Sequence, residues 1–585
     1  MLGDLLKSLL RNPLRGRRVQ RAQALLEAGM AQQQSQDYAG ARRSFEQSLA
    51  IDPDNAEAHF RLGILLARDS QSYPESAMHL ERALTLNPRI ENGWIDLGTV
   101  YYFQRDLARA GASFRAALAA APDSVLAQLN LGVVLKESGR LEEALGHLRH
   151  AHDQAPEAEG TLRNLVAALI EADLCGEALS VAARAVQRNP FSYEAHKYHG
   201  LAHQKLHDPV RALACYHTAS QMRQDDAELH DHRGVAFLEL GRLPEALECY
   251  ERALALRPDF SLSAFHRGLT QLLLADYRQG WDGYELRKLN QDYLQRPGVF
   301  SPWDGSALAG RTLLIYREQG LGDEIMFASC LPQLIQAAGH CIVECEPRLQ
   351  GIFRRSFPAA TVYASTPDGG LPQELAGRDI DFSTPAGSIP RFLRRELGDF
   401  PRHNGYLKAD PARVALWRER LSQLGPGLKV GVAWAGGVRK TRRALRSLPL
   451  ERWLPILQTP GARFISLQYT ADAGAAMGAL REQYGIRIEH WTEAIDDYEN
   501  TAALACALDL VVSVCTAVIH LGGALGRPVW VMAPHCPEWR YGFSGDKMPW
   551  YPSVRVFRQP AFGEWEPVTA SVTAELGHLA GASAG

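Results

Sequence analysis

Glycine recurs at a 34-residue interval through the first half of this chain. Gly98, Gly132, Gly200, Gly234 and Gly268 share one grid, and Val166 fills its single missing slot. Gly29 and Gly63 keep the same interval one residue out of phase. Twelve residues after the grid positions stand Ala110, Ala144, Ala178, Ala212 and Ala246. Four further on come Phe114, Leu148, Tyr216 and Tyr250, with Ala182 the exception, and then Ala117, Ala151, Ala185, Ala219 and Ala253. Prolines close the unit at Pro122, Pro156, Pro190 and Pro258. Small residues at fixed offsets let two helices cross closely, and a proline ends the second helix. A 34-residue period of this kind predicts a helix–turn–helix unit repeated head to tail, stable only when stacked on its neighbours.

The pattern matches the tetratricopeptide signature, so about eight units are expected over residues 22–290, wound into a superhelix with a concave groove. The last unit reads GWDGYELRKL, keeps Gly268 and Tyr284, and is expected to dock on the second half of the chain. Residues 1–21 are expected to form a capping helix; Leu5, Leu6, Leu9 and Leu10 beside Lys7, Arg11 and Arg15 also fit a membrane-surface helix. Two residues before the glycine slot, Asn130 and Asn164 fall in register, with Asp96 one repeat earlier and Tyr198 and His232 after them. An amide can donate to and accept from any peptide backbone. Asn130 and Asn164 are therefore candidate acceptor-binding residues, against the plainer reading of ordinary polar helix positions.

Composition narrows the remaining choices. Net charge is −3, which gives no electrostatic reason to expect nucleic acid as partner. No apolar run approaches the roughly 20 residues that span a bilayer. The nine cysteines show no CxxC pair and no zinc-type spacing, which points to reduced thiols and a cytoplasmic location.

From about residue 300 the period gives way to short apolar strands separated by helices: TLLIY (312–316), CIVEC (341–345), VGVAWAG (430–436), FISLQY (464–469), LDLVVSV (508–514) and PVWVMAP (528–534). Such runs predict parallel sheets covered on both faces. Two lobes are expected, at about 311–410 and 427–570 within a region 300–585, with ligands at the carboxyl ends of the strands. The loop GLGDEI holds Gly320 and Gly322, but Ile325 replaces the third glycine of a dinucleotide fingerprint, which counts against a nicotinamide enzyme even with Glu344 and Glu346 nearby. Asp323, near a helix start expected at about Ile325, is a candidate general base; an acid there also simply favours the helix dipole. After LVVSV, the sequence CTAVIHLGGALGRP places Thr516 and Ala517 at a helix entrance able to bind phosphate, with His520 one turn in. Arg439, Lys440, Arg442, Arg443 and Arg446 come after the VGVAWAG strand; Arg446, beside Ser447, is the better candidate for a phosphate contact. Asp379 and Asp381 have the spacing of a metal-bound motif but no further candidate ligand, and no metal is assigned. Trp539, Arg540, Tyr541, Trp550 and Tyr551 suit either sugar stacking or a core, with Arg540 the functional candidate.

These motifs resemble a known family. LLIYREQGLGDEIMF, VGVAWAG with a downstream RS, SLQ (466–468) and TAVIHLGGALGRPVWVM are similar to GT-B glycosyltransferases of the heptosyltransferase-like family 9 group. Repeats running into GWDGYELR and EQGLGD resemble bacterial tetratricopeptide–glycosyltransferase fusions, one branch of which resembles flagellin-modifying enzymes. The asparagine register resembles the ladder of protein O-GlcNAc transferases. The resemblance implies an α superhelix followed by a GT-B fold of two Rossmann-like lobes. It also implies metal-independent sugar transfer from a nucleotide sugar to a protein acceptor, flagellin among the candidates, with no cofactor. Asp323 takes the place of the catalytic base. Arg446 takes the place of the phosphate contact, Gln468 that of the nucleoside contact, and Thr516, Ala517 and His520 that of the diphosphate-binding turn. Gly322, Ser447 and Arg540 are further donor-binding candidates read from the residues themselves. Cys515 stands where the family has aspartate, and a buried thiol is the reading preferred over a nucleophile. The rivals are transfer to a saccharide or lipid-linked acceptor, and a catalytically weak repeat scaffold.

Overall fold

The computed structural model describes residues 13–289, 293, 300–366, 378–437 and 443–584. The chain forms two compact units, Met1–Gln224 and Asp225–Gly585. Among the described residues the first unit contains six helix pairs. These are α1 (Pro13–Gln34) with α2 (Tyr38–Ile51), α3 (Ala56–Leu66) with α4 (Tyr73–Leu86), and α5 (Gly93–Phe103) with α6 (Leu107–Ala120). They continue with α7 (Val125–Glu137) and α8 (Leu141–Gln154), α9 (Glu159–Glu171) and α10 (Cys175–Arg188), and α11 (Tyr193–Lys205) and α12 (Pro209–Met222). The expected cap over 1–21 is not a separate helix where it is described. Residues 13–21 run straight into the first repeat helix, and Leu5, Leu6, Lys7, Leu9, Leu10 and Arg11 lie outside the described residues.

The 34-residue grid has a direct steric cause. A Cβ added at Gly63, Gly98, Gly132 or Gly200 would stand 2.6–2.7 Å from the side chain of Leu80, Phe114, Leu148 or Tyr216. Each glycine is the hole that receives the large residue of the second helix. The two exceptions to the pattern, Val166 and Ala182, lie sixteen residues apart in one repeat, and both are fully buried in the same apolar cluster. Bulk has moved from one helix to the other, which conserves volume. Caps start the helices: Asp37, Asn55, Asp106, Ser124, Ser192 and Asp208 each accept a backbone N–H of the first turn.

A second period is invisible in residue type. Seven positions after the glycine slot the backbone turns left-handed at Gln36, Arg105, Gly139, Asp173, His207, Gly241 and Ala275. This is the residue that ends a helix and frees the chain to reverse, and only two of the seven are glycine.

The second unit opens with two further pairs, α13 (Ala227–Glu239) with α14 (Leu243–Leu256) and α15 (Ser261–Leu273) with α16 (Tyr277–Tyr284). The boundary between units therefore falls inside the repeats, whose helix pairs run on to Tyr284. The physical reason is the packing of α16. Trp281, 1% exposed, donates its indole N–H to the Arg394 carbonyl at 2.7 Å and meets Trp539 edge-on at 5.3 Å. Arg287 is buried, donates to Glu318 at 2.7 Å and to Ser388 at 2.9 Å, and pairs with Glu285 at 2.9 Å. One apolar cluster runs from Leu272 and Trp281 to Leu313 and Val343.

Beyond these helices the described residues build two sheets. The first has the order β1-β5-β2-β3-β4 and is parallel throughout: β1 (Ser301–Pro302), β2 (Thr312–Tyr316), β3 (His340–Cys345), β4 (Thr361–Ala364) and β5 (Phe382–Pro385). The second has the order β11-β12-β10-β9-β6-β7-β8. Its strands are β6 (Leu428–Ala433), β7 (Ala462–Ser466), β8 (Ile488–Glu489), β9 (Leu510–Val514), β10 (Val529–Ala533), β11 (Lys547–Met548) and β12 (Tyr551–Arg558), with only β11 antiparallel. The fold is thus an α solenoid followed by an α/β region of parallel sheets. The described residues contain no helix long and apolar enough to cross a membrane.

Candidate functional site

Each sheet reverses its strand order once, between β2 and β5 in the first and between β6 and β9 in the second. Crevices at such reversals are where open α/β sheets take ligands. In this unit the two crevices share one cleft of about 470 Å³, a size suited to a small ligand. Its walls include Gly320–Asp323 from the loop after β2, Gly437 and Arg446 after β6, and Cys515–Val518 after β9.

The loop after β2 enters α17 (Leu321–Phe327), which begins four residues earlier than expected. Asp323 therefore sits in its first turn. Gly322 faces α18 (Ala517–Ala524); a Cβ there would meet His520 at 3.1 Å and the Ala517 backbone at 3.4 Å. The glycine lets the starts of α17 and α18 come together, so both first turns open on the same cleft.

Charged side chains form a chain across this floor. The Asp323 carboxylate accepts from Arg540 Nε at 2.6 Å, Arg540 donates to Glu538 at 3.1 Å, and Glu538 also accepts from Arg446 at 2.8 Å. Burial pushes the Asp323 carboxyl above the ordinary aspartate range, and the Arg540 guanidinium works against that rise. A guanidinium carries five N–H donors, so the geometry of Arg540 and Arg446 lets an acid and a phosphate be served together. His520 is buried with Nδ1 3.2 Å from the Tyr551 hydroxyl. Burial, with Arg540 and Arg446 nearby, lowers its pKa to about 3, so it is a neutral hydrogen-bonding group and not a cation. Cys515 is 1% exposed and burial pushes its thiol up to about 12, which removes it as a nucleophile near neutrality.

Two expected donor contacts act on the loops instead. Gln468 is fully buried; its Oε1 accepts from the N–H groups of Trp434 and Ala435 at 2.9 and 3.0 Å, and its amide donates to the Ala435 carbonyl and Thr470. Gln468 shapes the turn after β6 and offers no face to a ligand, which corrects its placement as a nucleoside contact. Ser447 accepts from Gly436 N–H at 3.3 Å and holds the same turn. Thr516 is the N-cap residue of α18 and Ala517 its first residue. Arg439, Lys440 and Arg442 lie outside the described residues, and Arg443 is exposed.

Other sequence candidates resolve into structural roles. Glu344 is buried and accepts from Arg317 N–H at 3.2 Å; Glu346 pairs with Arg348 at 2.9 Å. Asp381 pairs with Arg311 at 2.7 Å and accepts from Thr312 N–H at 2.8 Å. Trp539, Tyr541, Trp550 and Tyr551 are core, and Arg540 of that stretch lines the cleft. In the first unit Asn130 lies on α7 and Asn164 on α9, both half-buried, and Asn164 donates to the Gly160 carbonyl of its own helix at 2.8 Å. Asp96, in the same register on α5, has its pKa raised to about 6 by burial. Cleft residues that sequence reasoning missed are Glu538, Arg348, Tyr469 and Tyr498. Glu538 had a signal, since it directly precedes the singled-out Trp539 and Arg540. Arg348 and Tyr498 had none, because only folding brings them to the cleft.

Helix pairs in the first half of the chain match the tetratricopeptide repeat. Family models described as tetratricopeptide repeat match residues 95–159 and 232–260, and one described as TPR repeat matches 31–70. The chain is 36% identical over 323 residues to the protein FlbA of Caulobacter vibrioides, covering 52% of this chain and 53% of that protein. It thus spans about half the length of the curated relative it matches. Among solved structures it is similar to a tetratricopeptide repeat protein from Parabacteroides merdae (14% identity, 43% of this chain and 99% of that one, TM-score 0.38). It is also similar to yeast Tom70 (15% identity, 46% and 61%, TM-score 0.35).

Proposed function

We propose that the chain is a GT-B glycosyltransferase that moves a sugar from a nucleotide-sugar donor to a protein held by the repeats, acting in the cytoplasm. The observation that carries this reading is the meeting of two sheet crevices at one cleft, with an acid, two guanidiniums and a helix start on its floor. The Asp323 carboxylate takes the proton of the acceptor hydroxyl as that oxygen bonds to the anomeric carbon. The bond from that carbon to the diphosphate breaks, and the leaving charge goes to Arg446, Arg540 and the N–H groups at the start of α18. Stabilisation of this kind needs donors already aimed at the developing charge, and the Glu538 bridge holds both guanidiniums in place. Burial makes Asp323 a stronger base than an exposed aspartate. Flagellin is the first acceptor to try, on the resemblance of the motif order to flagellin-modifying fusions.

The test uses the full chain with a panel of nucleotide sugars and flagellin, read by calorimetry for binding and by mass spectrometry for transfer. Transfer is expected with one donor class. Asp323→Asn is expected to keep nucleotide binding and slow transfer by about 10²–10⁴-fold, the usual contribution of a general base. A chain that binds no nucleoside diphosphate is a scaffold, and an Asp323→Asn variant of undiminished rate removes the proposed base.

A further inference from the structure

Within the sixth repeat, α11 and α12 carry a cluster that the sugar-transfer reading does not use. His199 and His203 lie one turn apart on α11, and Cys215 faces them from α12. Their nearest ligand atoms all lie within 4.8 Å of one another. His199 Nδ1 stands 3.5 Å from Cys215 Sγ. Zinc bonds of about 2.0–2.1 Å to nitrogen and about 2.3 Å to sulfur, set at the tetrahedral angle, place those two atoms about 3.6 Å apart. The two imidazoles are already close, with ring centroids 4.7 Å apart. Asp208 Oδ2 lies 4.0 Å from His203 Nδ1 and also pairs with Arg211.

The register supplies an independent argument. One repeat earlier, 34 residues back, the same three positions are Leu165, Leu169 and Val181, each at most 3% exposed. Two repeats earlier the first two are Leu131 and Leu135, again buried. Elsewhere the register is mixed, with His147 at the third position two repeats earlier and Arg233, Phe237 and Cys249 one repeat later, but among the described residues this repeat alone brings three ligand-type side chains together. A packing role alone would be met by the leucines and valine that its neighbour uses.

We propose that His199, His203 and Cys215 bind a divalent ion of borderline softness, zinc fitting best, which ties α11 to α12. Two nitrogens and one thiolate make a donor set for such an ion, and three protein ligands leave a fourth position for water or a partner's side chain. The Cys215 thiol loses its proton to solvent on binding, and no redox change is involved. Cysteine spacing could not reveal the site, because it contains one cysteine and draws its other ligands from the neighbouring helix.

The experiment titrates the full chain, stripped by a chelator, with Co²⁺ and then Zn²⁺. One equivalent of cobalt is expected to give a thiolate-to-cobalt charge-transfer band, which zinc abolishes. Cys215→Val and His203→Leu install the residues of the preceding repeat, so helical circular dichroism is retained while the band is lost. Zinc is expected to raise the unfolding midpoint of the parent chain but not of His199→Leu/His203→Leu/Cys215→Val. A parent chain with no band at one equivalent, or a band that survives in Cys215→Val, overturns the proposal.

Discussion

In the first unit Gly98, Gly132 and Gly200 receive Phe114, Leu148 and Tyr216, so its helices meet through a hole and a knob repeated at fixed spacing. In the second unit Arg287, Glu318 and Glu285 are packed together between α16 and the first sheet, where each polar atom depends on partners elsewhere in the fold. The contrast shows two ways of burying side chains. A knob in a hole needs only volume, tolerates exchange of the two sizes, and repeats. A buried charge needs a specific partner, tolerates no exchange, and occurs once. The repeats can therefore vary their surfaces for binding, whereas the junction with the α/β region holds one geometry beside the cleft.

That contrast can be broken or sharpened by experiment. The largest effect is expected at the junction. Arg287→Ala leaves Glu318 buried without its cation and Glu285 with Lys288 alone, and should cost about 3–5 kcal/mol. Ten of the eleven tryptophans lie in the second unit, so tryptophan emission during urea unfolding reads this directly. A loss below about 1 kcal/mol would mean that the junction is held by apolar packing alone.

A smaller effect concerns His520. The fold favours its neutral form, with a pKa of about 3 against 6.5 unfolded, so its contribution is present above pH 6.5 and declines as pH falls toward 3. Between about pH 7 and 4.5 the stability of the parent chain relative to His520→Gln should fall by about 2–3 kcal/mol. A difference that stays constant with pH would show that His520 is hydrated and titrates normally.

Next is the exchange of bulk within a repeat. Gly200→Val should overpack the crossing with Tyr216 and cost about 1–3 kcal/mol. Adding Tyr216→Ala copies the Val166–Ala182 arrangement. The double variant should be more stable than the sum of the single effects by about 1–3 kcal/mol, measured by circular dichroism in denaturant. Simple additivity would mean that the two positions do not share one space. The smallest effect is backbone relief. Arg105 is left-handed at φ 63°, so Arg105→Gly should gain up to about 1 kcal/mol even though it removes a side chain.

The repeats were legible because their cause is local. A glycine and a large residue sixteen positions later belong to one helix pair, so a short stretch of sequence contains both halves of the contact. The apolar strands of the α/β region were legible for the same reason, down to TLLIY as β2. The candidate site was legible only in part. Asp323, Thr516, Ala517 and Arg540 stood out by motif and do line the cleft, but motif could not show that Asp323 and Arg540 are paired. Gln468 stood out equally and turned out to clamp a turn, since an amide reads the same in sequence whether its partners are protein or ligand.

Sequence by itself determined the period, the identity of the repeats, the principal parallel strands and part of the cleft's loops. Each of these rests on side-chain size and hydrophobicity over short stretches of chain. Tertiary structure alone decided that the second unit begins at Asp225, that Glu538 bridges two arginines, and that His199, His203 and Cys215 stand together. It also decided that the helix reversals are left-handed at residues as different as Gln36, Asp173 and Ala275. Such features depend on distances between distant parts of the chain, or on the backbone path imposed by packing, and neither is written in the type of any one residue.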